Sequence, residues 1–233
     1  MTLLRSLLYA AIFYPGTVLY VVTGVVAMLF GRRPTLAVVL GWMDFNRWLC
    51  VHLLGIRTHV VGTIPPGPHL LAVKHESMYE TMEIVRIGRL PVVVMKRELS
   101  DLPLFGTLTR VYGAIPVERE AGAKALRAMV VAGKEAVAAG RSVIIFPEGT
   151  RVPSGETPPL RPGFAGLYRT LGLPVVPIAL DSGRLWGRGL VHRSGIVTFK
   201  VGETIPAGLK REEVEARVHA EINALALAPE ASA

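Results

Sequence analysis

The chain has 233 residues, 51% of them hydrophobic, and a mean hydropathy of +0.42, yet it carries a formal charge of +8 and a sequence pI of about 10.0. That length holds one sizeable core, or one domain with an appendage. The single cysteine, Cys50, excludes an intrachain disulfide and a cysteine-rich zinc site. Only Arg32-Arg33, Lys96-Arg97 and Lys210-Arg211 are adjacent basic pairs, a dispersal that fits an anionic membrane surface better than nucleic acid.

Ser6 to Phe30 contains no charged residue and is bracketed by Arg5 and by Arg32-Arg33. Such a run is long enough for a bilayer core, which takes about 20 apolar residues, and too long for a signal-peptide core. Pro15-Gly16 near its middle predicts either a kinked span or a division into two short helices, a re-entrant or interfacial hairpin. Thr35 to Leu54 reads as a second helix, with Trp42, Phe45, Trp48, Leu49 and His52 near one stripe and Asp44 and Arg47 elsewhere. That stripe suits the headgroup boundary, or equally a helix packed on the domain that follows. Residues 1–54 therefore read as a membrane-anchoring helical region and residues 55–233 as a second unit.

From Arg57 onward short β runs alternate with helical ones, the pattern of an α/β fold with a mixed, mostly parallel sheet flanked by helices. The predicted strands are Thr58–Val61, Leu70–Lys74, Val92–Lys96, Ala114–Val117, Ser142–Phe146, Val175–Leu180 and Ile196–Val201. The predicted helices are Ser77–Ile87, Leu102–Val111, Ala121–Ala139, Phe164–Leu171 and Arg211–Leu227, with loops over Val152 to Gly163 and Gly183 to Gly195.

Lys74-His75-Glu76-Ser77-Met78-Tyr79-Glu80 follows the second of these strands. On a straight helix, positions five apart lie roughly 140° from each other and cannot share a partner. For His75 and Glu80 to meet, His75 must lie in the turn before a helix and Glu80 in its first turns. Ser77 as N-cap with Glu80 at the capping-box position permits this, and the same pattern also describes a plain cap with a loop histidine. Two further strand ends carry ligand-suited groups. Lys96-Arg97-Glu98-Leu99 leads to Pro103-Leu104-Phe105-Gly106, and Phe146-Pro147 leads to Glu148-Gly149-Thr150-Arg151, where glycine allows close approach and arginine offers a planar fork to phosphate. Polar groups after several strand ends are the arrangement by which α/β sheets gather ligands.

These blocks, in this order, together with Val176-Pro177-Ile178, resemble the membrane-bound glycerolipid acyltransferases, specifically the 1-acylglycerol-3-phosphate acyltransferases, over about residues 55 to 205. Two positions depart from the family pattern: Glu80 stands where aspartate is usual, with Glu83 as a lesser substitute, and Arg161-Pro162-Gly163 stands where a lysine often precedes the glycine. The resemblance implies acyl transfer from acyl-CoA or acyl-carrier protein to the sn-2 hydroxyl of lysophosphatidic acid, giving phosphatidic acid. His75 would be the general base and Glu80 its orienting acid, since an ordinary imidazole pKa near 6.5 suits removal of the hydroxyl proton. Lys96, Arg97, Glu148, Gly149, Thr150, Arg151 and Pro177 would form the substrate site. No cofactor, metal or nucleic acid is expected. The partner is the lipid bilayer, with the protein at the inner membrane and its site on the cytoplasmic face. The alternatives are an O-acyltransferase for another lysolipid, such as a lyso-ornithine lipid, and a catalytically silent module that binds anionic lipid.

Overall fold

The computed structural model describes residues 1–118 and 122–226. Helix α1 (Thr2–Met28) and helix α2 (Arg32–Leu49) pack antiparallel: Tyr9 Oη donates to Asn46 Oδ1 at 2.6 Å, and farther along α1 Tyr20 lies so close to Gly41, earlier in α2, that a Cβ there would come within 3.3 Å of its ring. Of the two forms expected at Pro15-Gly16, a kinked span or a division into two short helices, the division does not occur, and α1 runs unbroken through Pro15. Proline removes one backbone donor, but the turns around it are pinned from outside. Thr17 Oγ1 donates to the carbonyl of Phe13 at 2.8 Å, and Trp42 Nε1 donates to Thr17 Oγ1 at 3.0 Å. Gly16 is a close-packing position, since a Cβ there would lie 2.5 Å from the Phe45 ring. Helix α2 does not continue regularly to Leu54; it widens into a π turn, Cys50–Leu54, that ends at Gly55.

A seven-stranded sheet follows, built from β1 (Ile56–Val61), β2 (Leu70–Val73), β3 (Val92–Lys96), β4 (Ile115–Val117), β5 (Val143–Ile145), β6 (Val175–Leu180) and β7 (Gly195–Val201). Their spatial order is β1-β7-β6-β2-β5-β3-β4, parallel throughout except between β6 and β7. Interspersed are α3 (Tyr79–Ile87), a short α4 (Arg97–Ser100), α5 (Phe105–Tyr112), α6 (Gly122–Ala138), α7 (Gly163–Leu171) and α8 (Arg211–Ile222). All seven predicted strands are present within two residues at each end. The predicted helix ends Ala121 and Leu227 lie outside the described residues.

Side chains alternate across the sheet into two cores. Leu71, Val73, Ile144, Val176 and Ile178 join Tyr9, Phe13, Met43, Leu49 and Ile84 from α1, α2 and α3. Leu70, Ala72, Val143, Ile145 and Val175 join Met129, Phe164, Leu167, Val214 and Val218 from α6, α7 and α8. With both faces covered, all four residues of β2 are buried, which is why it reads as an unbroken apolar run. The registers Leu70↔Val143 and Val73↔Ile178 align the C-terminal ends of β5, β2 and β6. His75, Phe146 to Glu148, and Asp181-Ser182 therefore leave the sheet side by side.

Candidate active site

Helix α3 starts at Tyr79, two residues later than expected, so His75 to Met78 form the turn that the five-residue spacing demands. Within it, His75 Nδ1 lies 2.8 Å from Glu80 Oε1. The same oxygen accepts the amides of Glu76 at 2.9 Å and Ser77 at 2.7 Å, while Ser77 Oγ accepts the amide of Tyr79 at 3.0 Å. Glu80 thus closes the helix entrance and holds the histidine at once; the two readings of the motif are one structure.

On the other side of the carboxylate, Ser77 Oγ and Ser182 Oγ approach Glu80 Oε2 at 2.6 and 2.7 Å and lie 2.9 Å from each other. Each serine has one proton to give, so two of these three contacts are hydrogen bonds. Glu80 is fully buried. Burial alone would push its carboxyl up, but the hydrogen bond and charge of His75, with Ser77 and Ser182, bring it below the ordinary carboxylate range. An ionised carboxylate can only accept, so Nδ1 of His75 carries the proton and Nε2 carries the free lone pair. The ring is steadied by stacking on Phe146, with centroids 4.2 Å apart and planes at 28°. Glu83 plays no part in this: Glu83 Oε2 accepts from Thr58 Oγ1 at 2.8 Å and lies 3.9 Å from Arg47.

The main chain of His75 is held from β5. Its amide donates to Glu148 Oε2 at 2.9 Å, and its carbonyl accepts the amide of Val152 at 2.7 Å. The other oxygen of Glu148 takes Lys74 Nζ at 2.5 Å, in an ion pair with no side-chain exposure on either partner. Lys74 completes its three donors with the carbonyl of Glu156 and Oδ1 of Asn223, both at 2.7 Å. Glu148 is therefore turned inward. Gly149 adopts φ +70, and a Cβ there would lie 2.9 Å from Cγ of Arg161. The exposed Thr150 and Arg151 follow, and the carbonyl of Arg151 accepts from Arg188 at 2.7 Å. Lys96 and Arg97 are exposed at the end of β3, next to β5 in the sheet. Pro177 is not on this rim; it lies buried within β6 opposite Ala72, about 10 Å along the strand direction from the level of His75.

Sequence reasoning passed over Lys74, Glu76, Phe146, Ser182, Gly183 and Asn223 as site residues. Ser182 carried a usable signal, since it follows a strand end as the three recognised blocks do. Asn223 lies 149 residues from Lys74 and carried none.

The Acyltransferase family matches residues 56–181. The 1-acyl-sn-glycerol-3-phosphate acyltransferase of Pseudomonas aeruginosa is 32% identical over 204 residues, 86% of this chain and 78% of that enzyme. The human 1-acyl-sn-glycerol-3-phosphate acyltransferase beta is 30% identical over 65% of this chain and 56% of its own length. In fold, the chain is similar to the crystal structure of the 1-acyl-sn-glycerophosphate (LPA) acyltransferase from Thermotoga maritima, with a TM-score of 0.77, 20% identity, and coverage of 99% of this chain and 100% of that one. With a histidine and a buried carboxylate joined at the mouth of a mostly parallel sheet, and these relatives, the chain belongs to the acyltransferase family.

Proposed function

We propose that the protein transfers a fatty acyl group from a thioester, acyl-CoA or acyl-carrier protein, to the sn-2 hydroxyl of 1-acylglycerol-3-phosphate, giving phosphatidic acid. The observation that carries this reading is the 2.8 Å contact between His75 Nδ1 and the buried Glu80. It leaves Nε2 as the base. The acceptor oxygen attacks the thioester carbonyl as its proton passes to Nε2; collapse of the tetrahedral intermediate breaks the C–S bond, and the thiolate takes the proton from the imidazolium. Glu80 stays ionised and stabilises the imidazolium while it exists. The amides of Glu76 and Ser77 are both bonded to Glu80, so the oxyanion draws its donors from elsewhere.

Arg151, Lys96 and Arg97 supply the positive rim for the acceptor's phosphate, with Gly149 and Thr150 in the same turn. Glu148 serves the acceptor indirectly, by fixing the His75 main chain, and Pro177 supports β6 from within. No cofactor enters these steps.

The lipid substrate implies a membrane seat. Helix α1 is long and apolar enough to cross a bilayer, but one of its faces lies along the protein from end to end. Ser6 Oγ accepts the amide of His192, and Gly24 abuts Leu108 so closely that a Cβ would come within 2.9 Å. Its other face exposes Leu4, Leu8, Ile12, Leu19, Val22 and Val26. That arrangement supports a helix lying in the headgroup plane with the site beside the bilayer, on the cytoplasmic face of the inner membrane where thioester donors are found.

The test is turnover of purified protein with a panel of lysolipids, lysophosphatidate and lyso-ornithine lipid among them, and each donor. His75→Ala should abolish transfer to lysophosphatidate while vesicle binding and folding persist; unchanged turnover would exclude the mechanism.

A further inference from the structure

The segment after β6 has no task in the reaction above, yet it is rooted in the site. Ser182 Oγ lies 2.7 Å from Glu80 Oε2, and the amide of Gly183 donates to Glu76 Oε2 at 2.7 Å. The chain then folds back on itself. Trp186 and His192 pair as an antiparallel bridge, and the amide of Arg193 donates to the carbonyl of Leu185 at 2.8 Å. The amide of His192 is fixed in turn by Ser6 Oγ of α1 at 2.9 Å. Residues 187–191 are thereby the tip of a short hairpin, and all of them are exposed.

Arg188 sits in that tip and reaches the Glu148 to Arg151 turn. Its Nη2 donates to the carbonyl of Arg151 at 2.7 Å, and the amide of the same peptide unit, that of Val152, donates to the carbonyl of His75 at 2.7 Å. One planar peptide therefore separates the Arg188 guanidinium from the main chain of His75. The bond uses one N–H of the fork and leaves the others to donate elsewhere. Other cations of this rim are balanced: Arg97 lies 3.9 Å from Asp101, and Arg184 pairs with Asp181. Neither Arg188 nor Arg151 occurs in any ion pair among the described residues. The fold thus brings a second guanidinium to a turn that already carries one and gives neither a carboxylate. Like charges held together repel, and an anion that both can reach relieves the repulsion. A phosphate monoester fits, with several strong acceptor oxygens and more than one negative charge near neutrality. Leu190 and Val191, 73% and 45% exposed beside Arg188, suit a phosphate that arrives on a lipid.

We propose that Arg188 is a further binding residue for the acceptor, which holds the lysophosphatidate phosphate together with Arg151. This rests on the acyl-transfer reading given above, and it assigns part of the acceptor site to the hairpin after β6. The same bond to the Arg151 carbonyl sets the distance between the two guanidinium groups, so the hairpin fixes the width of the phosphate site as well as supplying one of its charges.

Kinetics of the full-length wild type, Arg188→Gln and Arg188→Lys, with lysophosphatidate and either acyl-CoA or acyl-carrier protein, test this alongside thermal unfolding of each. Glutamine can still donate to the Arg151 carbonyl but brings no charge, whereas lysine brings the charge without the fork. Arg188→Gln should raise KM for lysophosphatidate about tenfold and Arg188→Lys about threefold, with kcat, KM for the donor and Tm nearly unchanged. A merely structural role predicts instead a fall in kcat or Tm with KM for lysophosphatidate unmoved, and that result, with an active wild type, overturns the role of Arg188 alone. A rise confined to KM for the donor places Arg188 against the donor's phosphates and overturns it equally. A wild type inactive toward lysophosphatidate with both donors overturns the acyl-transfer reading and this inference with it.

Discussion

Glu148 accepts Lys74 Nζ on one carboxylate oxygen and the amide of His75 on the other, so a single side chain just after β5 ties a buried charge to the main chain of His75. Breaking such a pair by removing one partner strands the other charge in the interior, at about 3–5 kcal/mol. Lys74→Met should destabilise the protein by that amount in urea unfolding, with activity falling as His75 loses its support. Lys74→Met combined with Glu148→Leu should recover part of the stability and none of the activity, since the amide of His75 then loses its acceptor as well.

Glu80 contributes both charge and reach. Glu80→Gln keeps the length but replaces an acceptor-only group, so the fixed tautomer and the stabilised imidazolium are both lost. The expected fall in kcat is on the order of 10³-fold or more, with little change in KM. Glu80→Asp keeps the charge but draws the acceptor back by one methylene from Nδ1 and from Ser182. About tenfold is expected there, and equal rates for the two variants would count against the assigned role.

Arg151 stands on the exposed side of the turn whose inner side is Glu148. Arg151→Ala should raise KM for lysophosphatidate about tenfold or more and leave KM for the acyl donor nearly unchanged, the pattern of a lost phosphate contact. Equal effects on both substrates would argue against its task.

Glu76 and Glu80 give opposite pH signatures in stability. Glu76 holds its proton more tightly folded than unfolded, so the folded state loses stability as pH rises from the ordinary 4.5 through about 7. Glu76→Gln should therefore be the more stable protein at pH 8, by up to about 3 kcal/mol, and should match the wild type below pH 4.5. Glu80, held below the ordinary range, adds stability that is present above that range and is lost only as pH falls through its lowered value. Thermal unfolding of Glu76→Gln and Glu80→Gln beside the wild type, from pH 8 down to about pH 2, reads the two signs directly.

The seven strands were legible because each is a short apolar or alternating run bounded by glycine, proline or charge. The meeting of His75 with Glu80 was legible because it is local, a matter of where one helix begins. The ends were less so. Ser77 looks like the first cap of α3, and its amide does bond to Glu80 as a capping box requires, but the helix begins only at Tyr79. Pro15-Gly16 looks like a break, and only the ring of Phe45, thirty residues on, shows Gly16 to be a packing contact. Glu148 looked like a ligand-facing residue because it precedes Arg151. Its true partner, Lys74, lies on a neighbouring strand 74 residues earlier, and no spacing within one segment carries that information.

The first turns of α1 meet the segment after β6 through aromatic rings. Trp186 lies edge-on to Tyr9, stacks on His192 with centroids 4.0 Å apart, and leans on Tyr79, the residue before Glu80. Cutting the chain after the π turn, to obtain an enzyme that stays in water without detergent, would strip one wall from this cluster and expose Trp186. The apolar first helix and the site cannot be parted with a protease: the helix proposed to lie against lipid also props up the turn that supports Glu80.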